Sequence, residues 1–333
     1  MREPDLGQFR PRREDVLVSV CLAELSPGAE TFAKLRALAA RLDAAFRFRE
    51  IVLVVDETAR EAFLPIIAEL ANLRLFVVRR GTEYYQRRVI AAEEAIGDLV
   101  VIGHLDELAR LDLIAFLDLA ERENAVAMAF RPARRPIKRL LAWPFIALGK
   151  LAGFHVDPSD FQSLAVPRTA LNLLLAHEEP RLALRFPPRD PRLAVEWLRT
   201  GENVESRNAF IGLARRAQLF QTLLVHLTPA VLSLVSLTSA LLAALGLAYG
   251  TYVGVVALVK EALAPGWLTT NAMLAASAAF MGFSTLGLSL GLQYLLRQQA
   301  RSRAAPAPEE VNQVDLYAQV AFDLNVAQDR GAG

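Results

Sequence analysis

The run V-L-V-S-V-C-L, Val16 to Leu22, decides the fold class. It is continuously apolar or small and rich in β-branched residues, so it reads as a strand covered on both faces. A helical pattern follows from Gly28 to Ala45, and Pro27 before it suits a helix start. Ile51 to Val55 (I-V-L-V-V) is a second buried strand and ends at Asp56. Beyond it the pattern predicts a helix over Arg60 to Leu70, a strand over Leu73 to Val78, a helix over Glu83 to Ala95 and a strand over Leu99 to Ile102. Strands alternating with helices at this spacing indicate an α/β domain with a mostly parallel sheet and helices on both faces. In such sheets ligands bind beyond the carboxyl ends of the strands. Asp56 and the group Gly103, His104, Leu105 and Asp106 stand at two of those ends.

Charge distribution divides the chain of 333 residues more sharply than its average of 22% charged residues suggests. From Ala217 to Val259, 43 residues carry no Asp, Glu, Lys or Arg, and from Ala262 to Leu296 another 35 carry none. A helix crosses a bilayer core with roughly 20 residues, so the first stretch is about twice too long for one straight span. Pro229 is the expected dividing point, because proline removes a backbone donor. Arg207 to Leu227 reads as an amphipathic helix on the membrane surface, followed by spans from about Ala230 to Val259 and from about Thr270 to Leu296. The turn Pro265–Gly266–Trp267 makes the pair an antiparallel hairpin. Arg215 and Arg216 precede the hairpin and Arg297, Arg301 and Arg303 follow it, which by the positive-inside rule puts both flanks, and the amino-terminal domain, in the cytoplasm. The expected organisation is a segment 1–14, an α/β domain 15–205, an interfacial helix 206–228, a two-helix hairpin 229–298 and a flexible tail 299–333, in an inner (plasma) membrane protein. No cleavable signal peptide is visible, since the first residues are charged.

Gly246, Gly250 and Gly254 recur every four residues and Gly287 pairs with Gly291, a spacing that serves either contact within one hairpin or a homo-oligomer seam. The net charge of +1 gives no case for nucleic-acid binding. No G-x-G-x-x-G and no Walker A sequence is present, against a dinucleotide oxidoreductase or a P-loop ATPase. The four histidines are scattered and the lone Cys21 lies in an apolar run, which fits a core residue in a reducing cytosol. The basic run R-P-A-R-R-P-I-K-R (131–139) precedes an apolar stretch with Trp143. Such a segment suits an anionic membrane surface, where Arg131, Arg134, Arg135 and Lys138 could meet a lipid phosphate or a diphosphate.

An α/β domain with acids at two strand ends, then a surface helix and a membrane hairpin, resembles the family 2 glycosyltransferases of the polyprenyl-phosphate type. These are the relatives of dolichol-phosphate mannose synthase that carry a carboxyl-terminal hairpin, and the resemblance covers about residues 15–300. A-P-G-W-L-T-T (264–270) and G-L-Q-Y-L-L-R (291–297) look like the family's P-G-W turn and its Gly-Glu-Tyr-Leu-x-Arg ending, with Gln293 where Glu is usual. V-V-D-E-T-A (54–59) is similar to the family's V-D-D-G-S, so the resemblance implies that Asp56 contacts the nucleotide base, with Glu57 and Arg80 beside it. G-D-L-V-V-I-G-H-L-D (97–106) matches G-D-Y-V-V-x-M-D-A-D, which puts His104 and Asp106 on the two D-x-D positions that hold a divalent metal, Mg or Mn. D-P-S-D-F-Q (157–162) is similar to P-D-x-x-x-D-F-R, placing Asp160 near the acceptor as a catalytic residue with Asp106. The first-strand P-x-Y-N-E is replaced by A-E-L-S (23–26).

The family's GT-A fold implies sugar transfer from a nucleotide-sugar donor to polyprenyl (undecaprenyl) phosphate for surface-glycan assembly. The acceptor needs little help from a base, because a phosphate monoester is already largely ionised at neutral pH. The substituted positions leave a second expectation, a catalytically degenerate GT-A-like subunit acting as scaffold or regulator of a glycan-assembly complex. Its partners would be the lipid bilayer and the rest of that complex.

Overall fold

The computed structural model describes residues 12–130, 146–150, 152–156, 163–199, 209–260, 263–302 and 308–312. The chain divides into two units, Met1–Phe220 with Ala307–Gly333, and Gln221–Pro306.

The first unit is an α/β sandwich whose elements follow the apolar pattern closely. Strand β1 (Arg13–Ala23) leads to α1 (Ala29–Ala45), β2 (Phe46–Asp56), α2 (Arg60–Glu69), β3 (Leu73–Val78), α3 (Tyr84–Glu94) and β4 (Leu99–Gly103). Then come the short α4 (Leu105–Leu108), α5 (Leu113–Arg122), β5 (Val126–Phe130), β6 (Leu164–Pro167), α6 (Arg168–Leu175), α7 (Pro180–Ala183) and β7 (Val195–Arg199). The sheet is mixed and mostly parallel, in the order β7-β5-β6-β4-β1-β2-β3, with an eighth strand, β8 (Glu309–Glu310), beyond β3. The strands β4, β1, β2 and β3 are all parallel, and only β6 and β8 run against their neighbours. Because β1 pairs with β2 on one side and β4 on the other, the chain reverses its direction of winding between β1 and β4.

Both faces of the sheet are covered, which explains why the strands are apolar without alternation. One core joins Val18, Val20 and Leu22 of β1 to Leu35 and Leu42 of α1, Phe63 of α2 and Phe116 of α5. The other joins Cys21, Val52 and Phe76 to Ile90 of α3 and Leu171 of α6. A fully buried Leu or Phe contributes about 1.5–3 kcal/mol by leaving water, so these layers dominate the unit's stability. Cys21 is fully buried, its thiol donates to the Ala91 carbonyl at 3.1 Å, and burial first of all pushes its pKa well up. That is the chemistry of an inert core thiol.

One departure from expectation lies at the carboxyl end. The tail read as flexible from residue 299 supplies β8, antiparallel to β3. Asn312 completes the pairing, its Oδ1 accepting from the Leu75 amide at 2.9 Å and its Nδ2 donating to the Leu73 carbonyl at 2.5 Å. Arg74 reaches Glu310 at 2.8 Å and Arg60 reaches Glu309 at 3.1 Å. A two-residue strand leaves no periodicity to read, and the gain is a covered sheet edge. Asn312→Ala should remove two bonds worth about 1 kcal/mol each and speed hydrogen exchange at the Leu75 amide, while exchange at β1 stays unchanged.

The second unit holds α8 (Ala209–Val259) from Gln221 onward and α9 (Trp267–Ser302), joined through Gly266, whose φ of 83° is a conformation glycine adopts without strain. Both are long and apolar enough to cross a membrane, and they expose large apolar side chains such as Leu245, Phe280 and Leu288. Pro229 does not end a helix, contrary to expectation: α8 runs through it. Proline costs one i→i−4 bond, the one to the Val225 carbonyl, which a helix can forgo without ending; the Thr228 hydroxyl beside it donates to the Leu224 carbonyl at 3.0 Å. Polar contacts set the pairing of α8 with α9: Ser236 meets Ser289 at 2.8 Å, Gln293 donates to Ser236 at 3.2 Å, and Tyr249 donates to Asn271.

Of the glycines expected to form a packing face, Gly246 alone makes a close approach, its absent Cβ falling 2.5 Å from the Ala279 nitrogen. Gly250 would make an ordinary contact, and Gly254, Gly287 and Gly291 would meet nothing within 4 Å. The second close approach is at Gly282, where a Cβ would lie 2.5 Å from the Ala243 nitrogen. A repeat of four marks one stripe of a helix, but the helices touch only where their axes come nearest.

Candidate functional site

The carboxyl ends of β1 and β4 lie side by side at the point where the winding reverses, which is where open α/β sheets bind ligands. At the end of β1 stands Glu24, with φ 61°. A non-glycine residue held there is strained, and such strain collects at ligand sites. At the end of β4 stands His104, whose Nδ1 accepts from the Asp106 amide at 3.4 Å and so caps the start of α4.

Asp106 is the most constrained acid of the group. Its Oδ1 accepts from Lys34 Nζ at 2.5 Å, and the same ammonium donates to Glu30 at 2.7 Å. Glu30 and Lys34 sit one turn apart on α1, so helix geometry brings them to one side, and Lys34 ties α1 to α4 across the reversal point. Partial burial pushes the Asp106 carboxyl up, but the Lys34 hydrogen bond and the charges of His104, Lys34 and Arg110 outweigh it and hold it below the usual range. Lys34 is held above its ordinary value, first by its bond to Asp106 and then by Glu30. A carboxylate held low contributes above its unfolded pKa and loses that contribution as pH falls through the folded value. The pair is therefore intact at neutral pH, opening on acidification as Asp106 takes a proton and at strongly alkaline pH as Lys34 loses one.

Asp56, at the end of β2, accepts from Arg87 of α3 at 2.6 Å, and Arg87 also donates to the Thr82 carbonyl at 2.9 Å. Glu57 and Arg80 are exposed beside the ends of β2 and β3. Asp160, Arg131, Arg134, Arg135 and Lys138 lie outside the described residues. The sheet thus brings Asp56, Glu57 and Arg80 to its carboxyl edge with His104 and Asp106, and Asp106 is bound to a lysine the sequence reading did not single out. Glu30 four residues before Lys34 was the only local signal; the contact with Asp106 spans 72 positions and leaves no trace in spacing.

A buried basic group was missed as well. Arg88 of α3 and Arg185, after α7, are both buried beside Tyr84 and Tyr85. Burial pushes the Arg185 guanidinium down; Tyr85 opposes this and the charge of Arg88 adds to it. Nearby, Ser163 donates to Glu107 of α4 at 2.6 Å. Arginines within an apolar helix pattern read as solvated positions, and only the α3 and α7 packing turns them inward.

The donor set does not fit a divalent cation. The Nδ1 lone pair of His104 is committed to the helix start and Asp106 to an ammonium. Among the described residues no three His, Cys, Asp or Glu side chains are grouped to hold a metal ion. A hard cation such as Mg requires several oxygen ligands, and one placed against Asp106 would face the charge of Lys34.

This defines a mostly parallel α/β domain with acidic side chains at the carboxyl edge of its sheet, beside the topological switch, followed by an apolar helical hairpin. No family model and no curated protein matches the chain. Among solved structures it is similar to glucosyl-3-phosphoglycerate synthase from M. tuberculosis, at 17% identity and a TM-score of 0.40 over 64% of this chain and 81% of that one. The same protein in complex with Mn2+, uridine diphosphate and phosphoglyceric acid matches at 16% identity and a TM-score of 0.38, over 64% and 78%.

Proposed function

We propose that the chain is a membrane-anchored glycosyltransferase of GT-A type that moves a sugar from a nucleoside-diphosphate donor to polyprenyl phosphate on the cytoplasmic face of the membrane. The observation that carries this reading is the carboxyl edge of the sheet about its switch point. Its strand ends present Asp56 and the His104–Asp106 segment in the order and spacing of the polyprenyl-phosphate family. The strained Glu24 at the same edge supports it. In this reading Asp56, steadied by Arg87, takes the base, with Glu57 and Arg80 beside it. Asp160 lies by the acceptor, and the basic run 131–139 holds the lipid phosphate at the bilayer surface. The hairpin keeps the site next to a substrate that never leaves the membrane, so the reaction gains by proximity.

A second reading is favoured by the Lys34–Asp106 ion pair: a subunit that keeps the fold and hairpin as a scaffold in a glycan-assembly complex and has lost transfer. Purified full-length protein, labelled UDP- and GDP-sugars and undecaprenyl phosphate separate the two. Lipid-linked product from one donor, reduced at least about tenfold in Asp56→Ala, is the expected result. No product from any donor with a normally folded protein favours the scaffold.

A further inference from the structure

We infer that Lys34 takes the place of a divalent cation at this switch point and supplies the positive charge that a donor diphosphate meets. The inference rests on the nucleotide-sugar reading above and names the counter-charge of that same site.

Three observations carry it. Lys34 lies on the helix that follows β1, Asp106 on the helix that follows β4, and the 2.5 Å contact between them bridges the strand pair where the winding reverses. A ligand arriving beyond those strand ends therefore encounters this ammonium. Second, the positions that would hold a metal are used otherwise, His104 as a helix cap and Asp106 as the lysine's partner. Third, the ammonium is positioned from two sides, by Glu30 at 2.7 Å as well as Asp106, and remains about one-third exposed (32%). An ammonium carries three N–H donors, and two carboxylates take two of them. The third suits a phosphate oxygen, to which lysine binds as a compact point charge. The two carboxylates around the ammonium would leave a net negative charge, which Arg110, whose charge acts on Asp106, offsets, so a phosphate oxygen meets the third N–H without displacing either carboxylate.

The test uses full-length protein in detergent, with Mn2+ bound or free read by electron paramagnetic resonance and UDP and GDP binding read by calorimetry, each with EDTA and with Mn2+. Wild-type protein should leave the Mn2+ signal unchanged at micromolar metal and bind nucleotide equally well, within about twofold, in EDTA and in Mn2+. Lys34→Ala should weaken the nucleotide at least about tenfold and should bind Mn2+ more tightly than wild type, because Asp106 and Glu30 are then free to accept a cation. Lys34→Arg should keep nucleotide binding. Partly exposed ion pairs contribute little to stability, so these variants are expected to fold, and their circular dichroism checks it. Nucleotide binding that rises tenfold or more with Mn2+ and vanishes in EDTA would overturn the inference. If neither nucleotide binds under any condition, the donor reading fails, and the Mn2+ titration decides alone. Mn2+ held by wild type then refutes the role of Lys34, and Mn2+ held only by Lys34→Ala upholds it as the resident cation.

Discussion

Glu50→Ala is expected to destabilise the first unit by about 3–5 kcal/mol, the range for removing one member of a buried charged pair. Glu50 is fully buried at the amino end of the inner strands. Its Oε1 accepts from the Ser19 hydroxyl at 2.5 Å and from the Ile96 amide at 2.6 Å, and its Oε2 faces Arg74 at 3.3 Å. The Ser19 hydroxyl in turn accepts from the Gly97 amide at 2.7 Å. One carboxylate thus fastens β1, β2, β3 and the turn between α3 and β4. Alanine leaves the buried Ser19 hydroxyl and the part-buried Ile96 amide without their acceptor and Arg74 without its buried counter-charge, and each buried loss costs a desolvation penalty. Thermal unfolding of the full chain in detergent, followed by near-ultraviolet circular dichroism, should show a midpoint lower by on the order of 10 °C. Glu50→Gln, which keeps one oxygen for Ile96 and Ser19, should lose markedly less. An unchanged midpoint in Glu50→Ala would mean that water replaces the carboxylate and that the network carries no stability.

Glu50 also shows where the sequence stops being legible. Ile51 to Val55 announces a buried strand because five apolar residues in a row have one environment that suits them. The preceding F-R-F-R-E carries three charges and reads as surface, yet β2 begins at Phe46. Arg49 is satisfied by Asp43 six positions back at 2.8 Å and by the Ala71 carbonyl 22 positions on at 2.5 Å, and Glu50 by partners 24 to 46 positions away. Apolar burial is a property each residue declares singly. Polar burial depends on partners that only the fold assembles.

The candidate site divides along the same line. Asp56, His104 and Asp106 could be placed at one edge from the sequence because strand ends are readable and strands of an α/β sheet deliver their ends to one edge. The lysine that occupies Asp106 belongs to another strand's helix, so the chemistry of the position changed without any change in its own segment. In the hairpin the charge-free stretches gave two helices of spanning length, since lipid crossing is a matter of composition and length. They could not say that helix would continue through Pro229.

The second large effect concerns Gly282, which no repeat pattern pointed to. Its missing Cβ would fall 2.5 Å from the nitrogen, 2.7 Å from the Cα and 2.8 Å from the Cβ of Ala243, so the obstacle is backbone that cannot rotate aside. In lipid, helices associate through such close packing and through interhelical hydrogen bonds, with no water to expel. Gly282→Val must push α9 from α8 by about 1–2 Å and costs on the order of 1–3 kcal/mol as overpacking. The displacement also lengthens the Ser236–Ser289 contact, now 2.8 Å, and the Tyr249–Asn271 bond, so the packing and hydrogen-bond losses arrive together. Spin labels on cysteines introduced at the exposed positions Leu237 and Leu288 would report the change as a longer and broader distance distribution. Gly291→Val serves as the control, because a Cβ there meets nothing within 4 Å. Equal distributions in Gly282→Val and wild type would mean that the helices do not touch at this point. If instead Gly291→Val abolished self-association in detergent while leaving the distance unchanged, the open glycines of α9 would be a seam between copies, and Gly246 and Gly282 would hold each hairpin together.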